Sequence, residues 1–243
     1  MSILRADQLQ SQRNDKPTYE ITASLLNSFY YQWNCVDYVK QDFDGTMEKS
    51  FDERCDIARD NAHQEFLNAL NRIHTPTTFA QQRGMDFEDA CCAGKVPVVS
   101  EIIKEGVFQP TYYKMVKVDG LQIQLKGRLD VLKAGTIYDM KRVSRWHGPE
   151  HYKKSVQHWM YLELVPEASQ FIYLINDGYV THFEIYHRYE AKPVEPFVYE
   201  FIEYLKSQNL LGIYLNAWNN NRRRDLLTFS SAGSPKEKEA VHG

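Results

Sequence analysis

The sequence predicts an α/β fold, in which a mixed central sheet is flanked by helices and preceded by a helical elaboration. Three observations indicate this class. Apolar residues recur at helical spacing through most of the first 105 residues. Period-two alternation with β-branched and aromatic residues begins near residue 107. A helical segment then separates two groups of strands, an order typical of layered α/β proteins.

The N-terminal part is predicted to be helical after a flexible arm over residues 1–20. Thr22 or Ser24 can cap a first helix, because both side chains accept a hydrogen bond from a free amide of the first turn. Its helical spacing runs through Trp33. A longer helix is predicted over 47–72 and a third over 79–93, with helical or irregular structure continuing to residue 105.

Five strands and three further helices follow from the local patterns. The turn sequences Asp119-Gly120, Ala134-Gly135 and Asn176-Asp177-Gly178 separate neighbouring strands. The predicted strands are 109–118, 121–132, 136–143, 170–176 and 179–187, and the predicted helices are 149–164, 193–207 and 210–219.

These elements predict one domain over residues 21–229. It divides into a helical part (21–105), a sheet core (106–190) and C-terminal helices (191–229). The polar end, residues 230–243, is predicted to be disordered. A formal charge of −3 excludes a uniformly basic, histone-like protein but leaves room for local basic patches. Neither a signal peptide nor a membrane span is predicted, and a cytoplasmic location in a bacterium or phage-infected cell is expected.

The candidate chemistry lies in the hairpin around Ala134-Gly135. If these two residues form the loop, Lys133 pairs with Thr136, and the same register places Asp130 directly opposite Asp139. Odd positions of the first strand then face a core, and even positions form a polar face. Lys141, two residues beyond Asp139, shares that carboxylate's face.

Two facing carboxylates repel each other unless a proton or a cation intervenes. Oxygen ligands of this kind suit Mg²⁺ or Mn²⁺, and a neighbouring lysine can hold a water or stabilise phosphate charge. The alternative is an exposed hairpin with a surface Asp–Lys pair, since Asp-x-Lys triplets are common.

Four motifs, in order along the chain, resemble the PD-(D/E)XK nuclease superfamily and its RecB-like, lambda-exonuclease-like branch. They are Gly84-x-x-x-Glu88, Gly127-x-x-Asp130, Asp139-x-Lys141 and Gln157-x-x-x-Tyr161. Each motif alone is weak evidence for the family, and the occurrence of all four in this order is more specific. The resemblance covers roughly residues 21–190 and implies a restriction-endonuclease-like sheet. The Asp at position 139 stands where Glu is commoner in the family.

The resemblance also implies roles for these residues. Glu88, Asp130, Asp139 and the Met140 carbonyl would hold the metal, and Lys141 would position the water. Gln157 and Tyr161, one helical turn apart, would orient Lys141 and the DNA strand. Glu88 is expected near the start of its helix, just after a glycine.

DNA is predicted to lie along a basic segment. Between Tyr112 and Lys154 there are ten basic and four acidic residues, within an acidic protein. The candidate contacts are Arg128, Arg142, Arg145, Lys153 and Lys154.

No iron–sulfur cluster is predicted. Some RecB-like relatives hold one through an N-terminal and three C-terminal cysteines, but here no cysteine follows Cys92. The other three, Cys35, Cys55 and Cys91, have no CxxC spacing. No nucleotide cofactor is expected either, because no glycine-rich phosphate loop is present.

The function expected from the sequence is that of a metal-dependent DNA exonuclease or end-processing nuclease of recombination, repair or phage replication. A single-strand annealing protein is a possible partner. A structure-specific endonuclease and an inactive nuclease-fold DNA-binding or scaffold protein are the alternatives. Strand polarity, a preference for DNA over RNA and the oligomeric state do not follow from the sequence.

Overall fold

A computed structural model describes residues 17–43, 45, 48–148 and 152–220 of the chain. The tail predicted for 230–243 and most of the arm predicted for 1–20 lie outside the described residues. Within the described part, the protein has the predicted mixed α/β class with seven α-helices, but its strands form two mixed sheets instead of the predicted single central sheet.

Apart from the strands β1 and β2, which were not predicted, and a break in the second predicted strand, the elements follow the predicted order. They are β1 (Thr18–Thr22), α1 (Ala23–Asp42), α2 (Phe51–Leu70), α3 (Phe79–Cys92), α4 (Pro97–Ile103), β2 (Val107–Phe108), β3 (Thr111–Val118), β4 (Leu121–Arg128), β5 (Val131–Lys133), β6 (Thr136–Arg142), α5 (Gln157–Leu164), β7 (Gln170–Asn176), β8 (Thr181–His187), α6 (Glu195–Ser207) and α7 (Leu211–Ala217).

The strands form two sheets. One has three strands in the order β1-β4-β3, and the other has five in the order β2-β5-β6-β7-β8. The pairs β1–β4 and β6–β7 are parallel, and the remaining pairs are antiparallel. The parallel β6–β7 pair needs a crossover, and α5 lies in the chain between these two strands.

The single strand predicted over 121–132 is wrong at one point, because the structure breaks it into β4 and β5. Pro110 cannot donate to the ladder, and Gln109 beside it has a φ of 50°. Because Gln109 and Pro110 lie opposite Leu129 and Asp130, the chain bends between β4 and β5 and passes from one sheet to the other. The pairing continues through the bend, since Gln109 N donates to Asp130 O at 2.9 Å and Leu129 N donates to Pro110 O at 3.0 Å.

The three predicted turns are confirmed, since Asn176 pairs with Thr181 across the third, and the other two are two-residue hairpin loops. Ala134 and Gly135 have φ values of 47° and 73°, and Asp119 and Gly120 have 50° and 78°. Two successive positive φ values are typical of the type I′ turn, whose twist matches that of the flanking strands. Lys133 pairs with Thr136 across the first turn, as the predicted register requires.

Several predicted boundaries near the ends of elements are corrected. Thr18, Tyr19 and Glu20, predicted as part of a flexible arm, lie in β1, where the latter two are buried. Thr22 caps α1 as predicted, by accepting a hydrogen bond from Leu25 N. The helix predicted over 149–164 begins only at Gln157, and residues 149–151 lie outside the described part.

Two apolar clusters hold the elements together. The larger lies between the sheets and helices α1, α5 and α6, and it includes Leu129, Ile137 and Tyr173. The smaller is formed where α3 and α4 cover the other side of the five-stranded sheet, and it includes Val131 and Met140. The alternation predicted for the first strand therefore holds up to Leu129. Beyond the bend, Val131 turns to the smaller cluster.

Candidate active site

The β5–β6 hairpin brings the two predicted carboxylates to one place. Asp139 lies in the middle of β6 and is only 1% exposed. Asp130 directly precedes β5, and its Oδ2 accepts a hydrogen bond from the Met140 backbone N–H at 2.8 Å. This bond ties the Asp130 side chain to the strand that carries Asp139, so the two acidic residues are neighbours as the predicted register requires.

Asp139 is held by two different side chains. Its Oδ1 accepts a hydrogen bond from Gln157 Nε2 at 2.7 Å. Its Oδ2 lies 2.6 Å from Lys141 Nζ, but it is buried and makes no hydrogen bond of good geometry. The contact with Lys141 is therefore best described as an ion pair. Because the Lys141 side chain remains 31% exposed, its ammonium group can reach both Asp139 and the solvent.

The carboxyl groups of this site are electrostatically strained. Burial, followed by repulsion from Asp139, raises the pKa of Asp130 far above its ordinary value. Burial and the charge of Asp139 also raise the pKa of Glu88, an effect that Lys141 and Arg128 partly offset. The charges of these acidic residues thus act on one another, and Lys141 offsets part of that repulsion.

Glu88 reaches this cluster from α3, but not from the expected position. It lies in the second half of α3, four residues before the last residue of that helix, rather than near the start. Gly84 is an ordinary helical residue, because Thr78 caps the helix well upstream of it. The side chain of Glu88 is half-buried, and Phe87 beside it packs into the smaller core.

Lys141 carries a positive charge in this setting. Burial favours the neutral amine, but the attraction of Asp139 and Asp130 outweighs it and raises the pKa of Lys141. The ammonium group can donate hydrogen bonds to a water molecule or to a phosphate oxygen. It is not a base in this state.

The donor set fits a small hard cation. The described residues contain no preformed group of three His, Cys, Asp or Glu side chains that could enclose a metal. Mg²⁺ does not need such a group, because it is bound through one or two carboxylates and keeps several waters. Asp139 Oδ2 is a buried oxygen without a hydrogen bond, and Asp130 lies beside it. The Met140 carbonyl stays a predicted ligand.

Gln157 and Tyr161 lie one turn apart on α5, as predicted, but their partners differ from those expected. Gln157 contacts Asp139 instead of Lys141. The Tyr161 hydroxyl donates to the Arg128 carbonyl oxygen at 2.9 Å, so it supports the end of β4 just before Asp130. Gln157 therefore positions the Asp139 carboxylate on β6, and Tyr161 positions the end of β4 that precedes Asp130.

Gly127 allows α5 to pack closely on β4, and a substitution there tests this support. A Cβ at this position would lie 2.7 Å from Leu164 Cδ1 and 2.8 Å from Tyr161 Cε1. We expect Gly127→Ala to lower the free energy of unfolding by about 1–3 kcal/mol, measured by urea denaturation. Gly84→Ala is the control, because its Cβ meets nothing within 4 Å on a helix. It should stabilise the protein by roughly 0.5–1 kcal/mol.

The basic residues predicted to contact DNA occupy different environments. Arg128, Arg145 and Lys153 are exposed. Arg142 is turned back on the protein, where its guanidinium donates to the backbone carbonyls of Asn176 and Val143. Lys154, although exposed, forms an ion pair with Asp37 of α1. Arg142 thus links the ends of β6 and β7. Contact of the other four residues with DNA stays a prediction.

Tyr173 is part of the site, but the sequence analysis did not single it out. It pairs with Asp139 across the parallel β6–β7 ladder, and Lys141 Nζ lies 5.9 Å from the centre of its ring. The ring is fully buried and forms the floor beside the ion pair. No local sequence pattern predicts this contact, because the register of a parallel strand pair is set by packing rather than by a turn.

Two further findings concern the whole described chain. All four cysteine thiols are free, with Cys92 exposed and the other three buried. None of the helices in the described residues combines the length and apolar character needed to cross a membrane.

Comparisons with known proteins reveal distant structural likenesses. No protein-family profile and no curated protein matches the chain. Among solved structures, the chain is similar to SSO0001, with 13% sequence identity and a TM-score of 0.43 over 81% of this chain and 79% of that one. It is also similar to a Eubacterium rectale protein provisionally described as an exonuclease, with 13% identity and a TM-score of 0.34 over 99% and 97% of the two chains. Likenesses this distant do not establish a shared activity.

Proposed function

We propose that the protein is a metal-dependent DNA nuclease with a restriction-endonuclease-like, PD-(D/E)XK fold of the RecB-like branch. The observation that supports this proposal is the arrangement around Asp139. A buried carboxylate is held on one oxygen by Gln157 and approached on the other by the Lys141 ammonium. Asp130 and Glu88 add two more acidic groups to the same place. Phosphodiester hydrolysis uses this combination of anionic metal ligands and a cation.

The metal ligands would be Asp130, Asp139 and Glu88, together with the Met140 carbonyl. A bound Mg²⁺ or Mn²⁺ would supply a Lewis acid that lowers the pKa of a water and neutralises phosphate charge. The protein contributes pre-orientation, because Gln157 fixes the Asp139 carboxylate and Met140 N–H fixes that of Asp130. Preoriented charges need no rearrangement during the reaction, and this is the main source of electrostatic catalysis.

Lys141 would act on the substrate side of the site. Its ammonium can donate to the attacking water or to a nonbridging phosphate oxygen, where negative charge grows during hydrolysis. Its partial exposure leaves room for that contact. We propose further that the enzyme processes DNA ends as an exonuclease in recombination, repair or phage replication.

The test is incubation of the protein with end-labelled linear DNA and covalently closed circular DNA. Each is combined with Mg²⁺, with Mn²⁺ or with a chelator, and Lys141→Ala serves as the inactive control. Metal-dependent loss of linear DNA with intact circles would support an exonuclease. Cutting of the circles would instead support an endonuclease on the same site. Binding of DNA without cleavage in either metal would contradict catalysis and favour a DNA-binding protein.

A further inference from the structure

In the part of the chain that the structure describes, helices cover one face of the three-stranded sheet, and most side chains that β3 contributes to the other face are exposed. The covered face packs against α5 and α6 through buried residues such as Val116, Ile123 and Leu125. On the other face, side chains alternate out of the sheet along β3 and β4. We call this the outer face, and it is formed by Tyr113, Met115, Lys117, Gln124, Lys126 and Arg128.

The outer face combines exposed apolar groups with positive charge. Tyr113 is 54% exposed and Met115 is 49% exposed, although each sits on a regular strand. Tyr113 pairs directly with Lys126, whose ammonium lies 5.9 Å from the centre of the tyrosine ring. Lys117 and Arg128 are exposed at opposite ends of the face. At about 3.3 Å per residue, the stretch of β4 from Gln122 to Arg128 spans about 20 Å.

One acidic residue lies beside these cations. Glu20 of β1 is ion-paired with both Lys126 and Arg72, each at 3.3 Å. Glu20 thus balances part of the charge of Lys126 and Arg72, while Lys117 and Arg128 lie exposed at the two ends of the face. The surface has the electrostatic character that attracts a phosphate backbone.

The outer face leads to the candidate active site. Arg128, at its end, is two residues before Asp130, and its backbone carbonyl accepts a hydrogen bond from the Tyr161 hydroxyl at 2.9 Å. A polyanion lying on this face would thus continue toward the carboxylate cluster. The chain's own C-terminal segment is a less suitable ligand for this basic face. It leaves the described part at Asn220, which donates to Gln124 at 3.0 Å, but it continues with Arg222, Arg223 and Arg224, whose charge has the same sign as that of the face.

We propose that the outer face binds single-stranded DNA and guides it to the active site, with one unpaired base stacked on Tyr113. Backbone phosphates would contact Lys117, Lys126 and Arg128. Unpaired bases expose the flat rings that stack on tyrosine, whereas a duplex hides them. This inference rests on the proposed nuclease function, and it assigns the substrate a single-stranded segment of at least several nucleotides.

The test is fluorescence anisotropy with a labelled 12-nucleotide DNA strand and with the matching blunt duplex, in chelator so that no cleavage can occur. Tyr113→Ala should weaken single-strand binding by about tenfold and duplex binding much less, because stacking on one ring is lost. Tyr113→Phe, which keeps the ring, should restore the affinity. Tyr199→Ala is the matched control, since Tyr199 is 53% exposed on α6 and lies outside the outer face.

A second measurement tests the phosphate contacts. The logarithm of the single-strand affinity is expected to fall linearly with the logarithm of the salt concentration. Lys117→Ala should reduce that slope by about 0.7, the value for one phosphate contact on a single strand. Lys40→Ala, at an exposed lysine of α1, should leave the slope unchanged.

These outcomes separate the inference from the proposed function. Unchanged affinity in Tyr113→Ala, or an equal loss for the single strand and the duplex, would overturn the single-strand assignment even if the wild-type protein cleaves DNA. Ring-dependent binding of the single strand by a protein that never cleaves would support the outer face. It would contradict only the nuclease activity.

Discussion

Asp130→Asn is expected to abolish cleavage and to remove metal binding while the fold remains intact. The substitution removes one charge and almost no volume, and the amide oxygen can still accept the hydrogen bond from Met140 N–H. Loss of a metal ligand removes several kcal/mol of transition-state stabilisation. At 1.36 kcal/mol per factor of ten, the cleavage rate should fall by about a thousandfold or more.

In the absence of metal, the thermal stability of Asp130→Asn should not fall, although its cleavage activity does. Burial, followed by the charge of Asp139, disfavours the ionised form of Asp130 in the folded protein, as its raised pKa shows. An amide at this position has no ionised form to bury, so the melting temperature in chelator should stay the same or rise. A gain of stability with a loss of function is characteristic of residues retained for catalysis.

The third measurement is the change in melting temperature when metal is added. At a Mn²⁺ concentration 100 times the dissociation constant, binding should stabilise the wild-type protein by about 2.7 kcal/mol. This corresponds to a rise of about 5–10 °C in melting temperature for a domain of this size. Asp130→Asn should show little of this rise.

The control is Asp119→Asn, on the turn of the other hairpin. Asp119 is exposed and its ion pair with Lys206 is at the surface, where such pairs contribute little. Asn also tolerates the positive φ at this position. This variant should resemble the wild-type protein in all three measurements. A folded Asp130→Asn protein that cleaves at close to the wild-type rate would contradict the assignment of the active site.

Local signals explain what the sequence could predict of this site. The Ala134-Gly135 turn requires two positive φ values, and such a turn sets the register of its strands without help from distant residues. The neighbourhood of Asp130 and Asp139 follows from that register. The spacing of Gln157 and Tyr161 likewise follows from helix geometry alone.

The features that could not be predicted depend on distant parts of the chain. The sequence predicts a flexible arm where the first three residues of β1 lie, because the stabilisation of this strand comes from β4, where Thr18 pairs with Gln122, about a hundred residues away. Pro110 was a visible signal for the bend in the long hairpin, but its effect also needed the left-handed conformation of Gln109. The partner of Gln157 depended on how α5 packs over β6, which no pattern within α5 specifies.

Gln157→Ala is expected to weaken metal binding, which differs from the sequence-based expectation that this residue orients Lys141. Its amide holds Asp139 Oδ1 at 2.7 Å, and thereby determines the direction of Oδ2, the oxygen that faces Lys141 and that would have to turn to a metal. Loss of a hydrogen bond that orients a metal ligand typically reduces affinity by 10–100-fold. Titration calorimetry with Mn²⁺ on the DNA-free protein measures this change directly, and cleavage should recover in part when the Mn²⁺ concentration is raised.

Tyr161→Phe provides the matched control for this prediction. Tyr161 lies on the same face of α5, one turn further on, but its hydroxyl contacts the Arg128 carbonyl and the Gln157 side chain, and not a carboxylate. Removing that hydrogen bond should cost about 1 kcal/mol of stability and leave the affinity for Mn²⁺ within about twofold of the wild-type value. If Gln157→Ala binds Mn²⁺ as tightly as the wild-type protein but cleaves poorly, the side chain acts on Lys141 or the DNA. The hydrogen bond to Asp139 would then have no part in holding the metal.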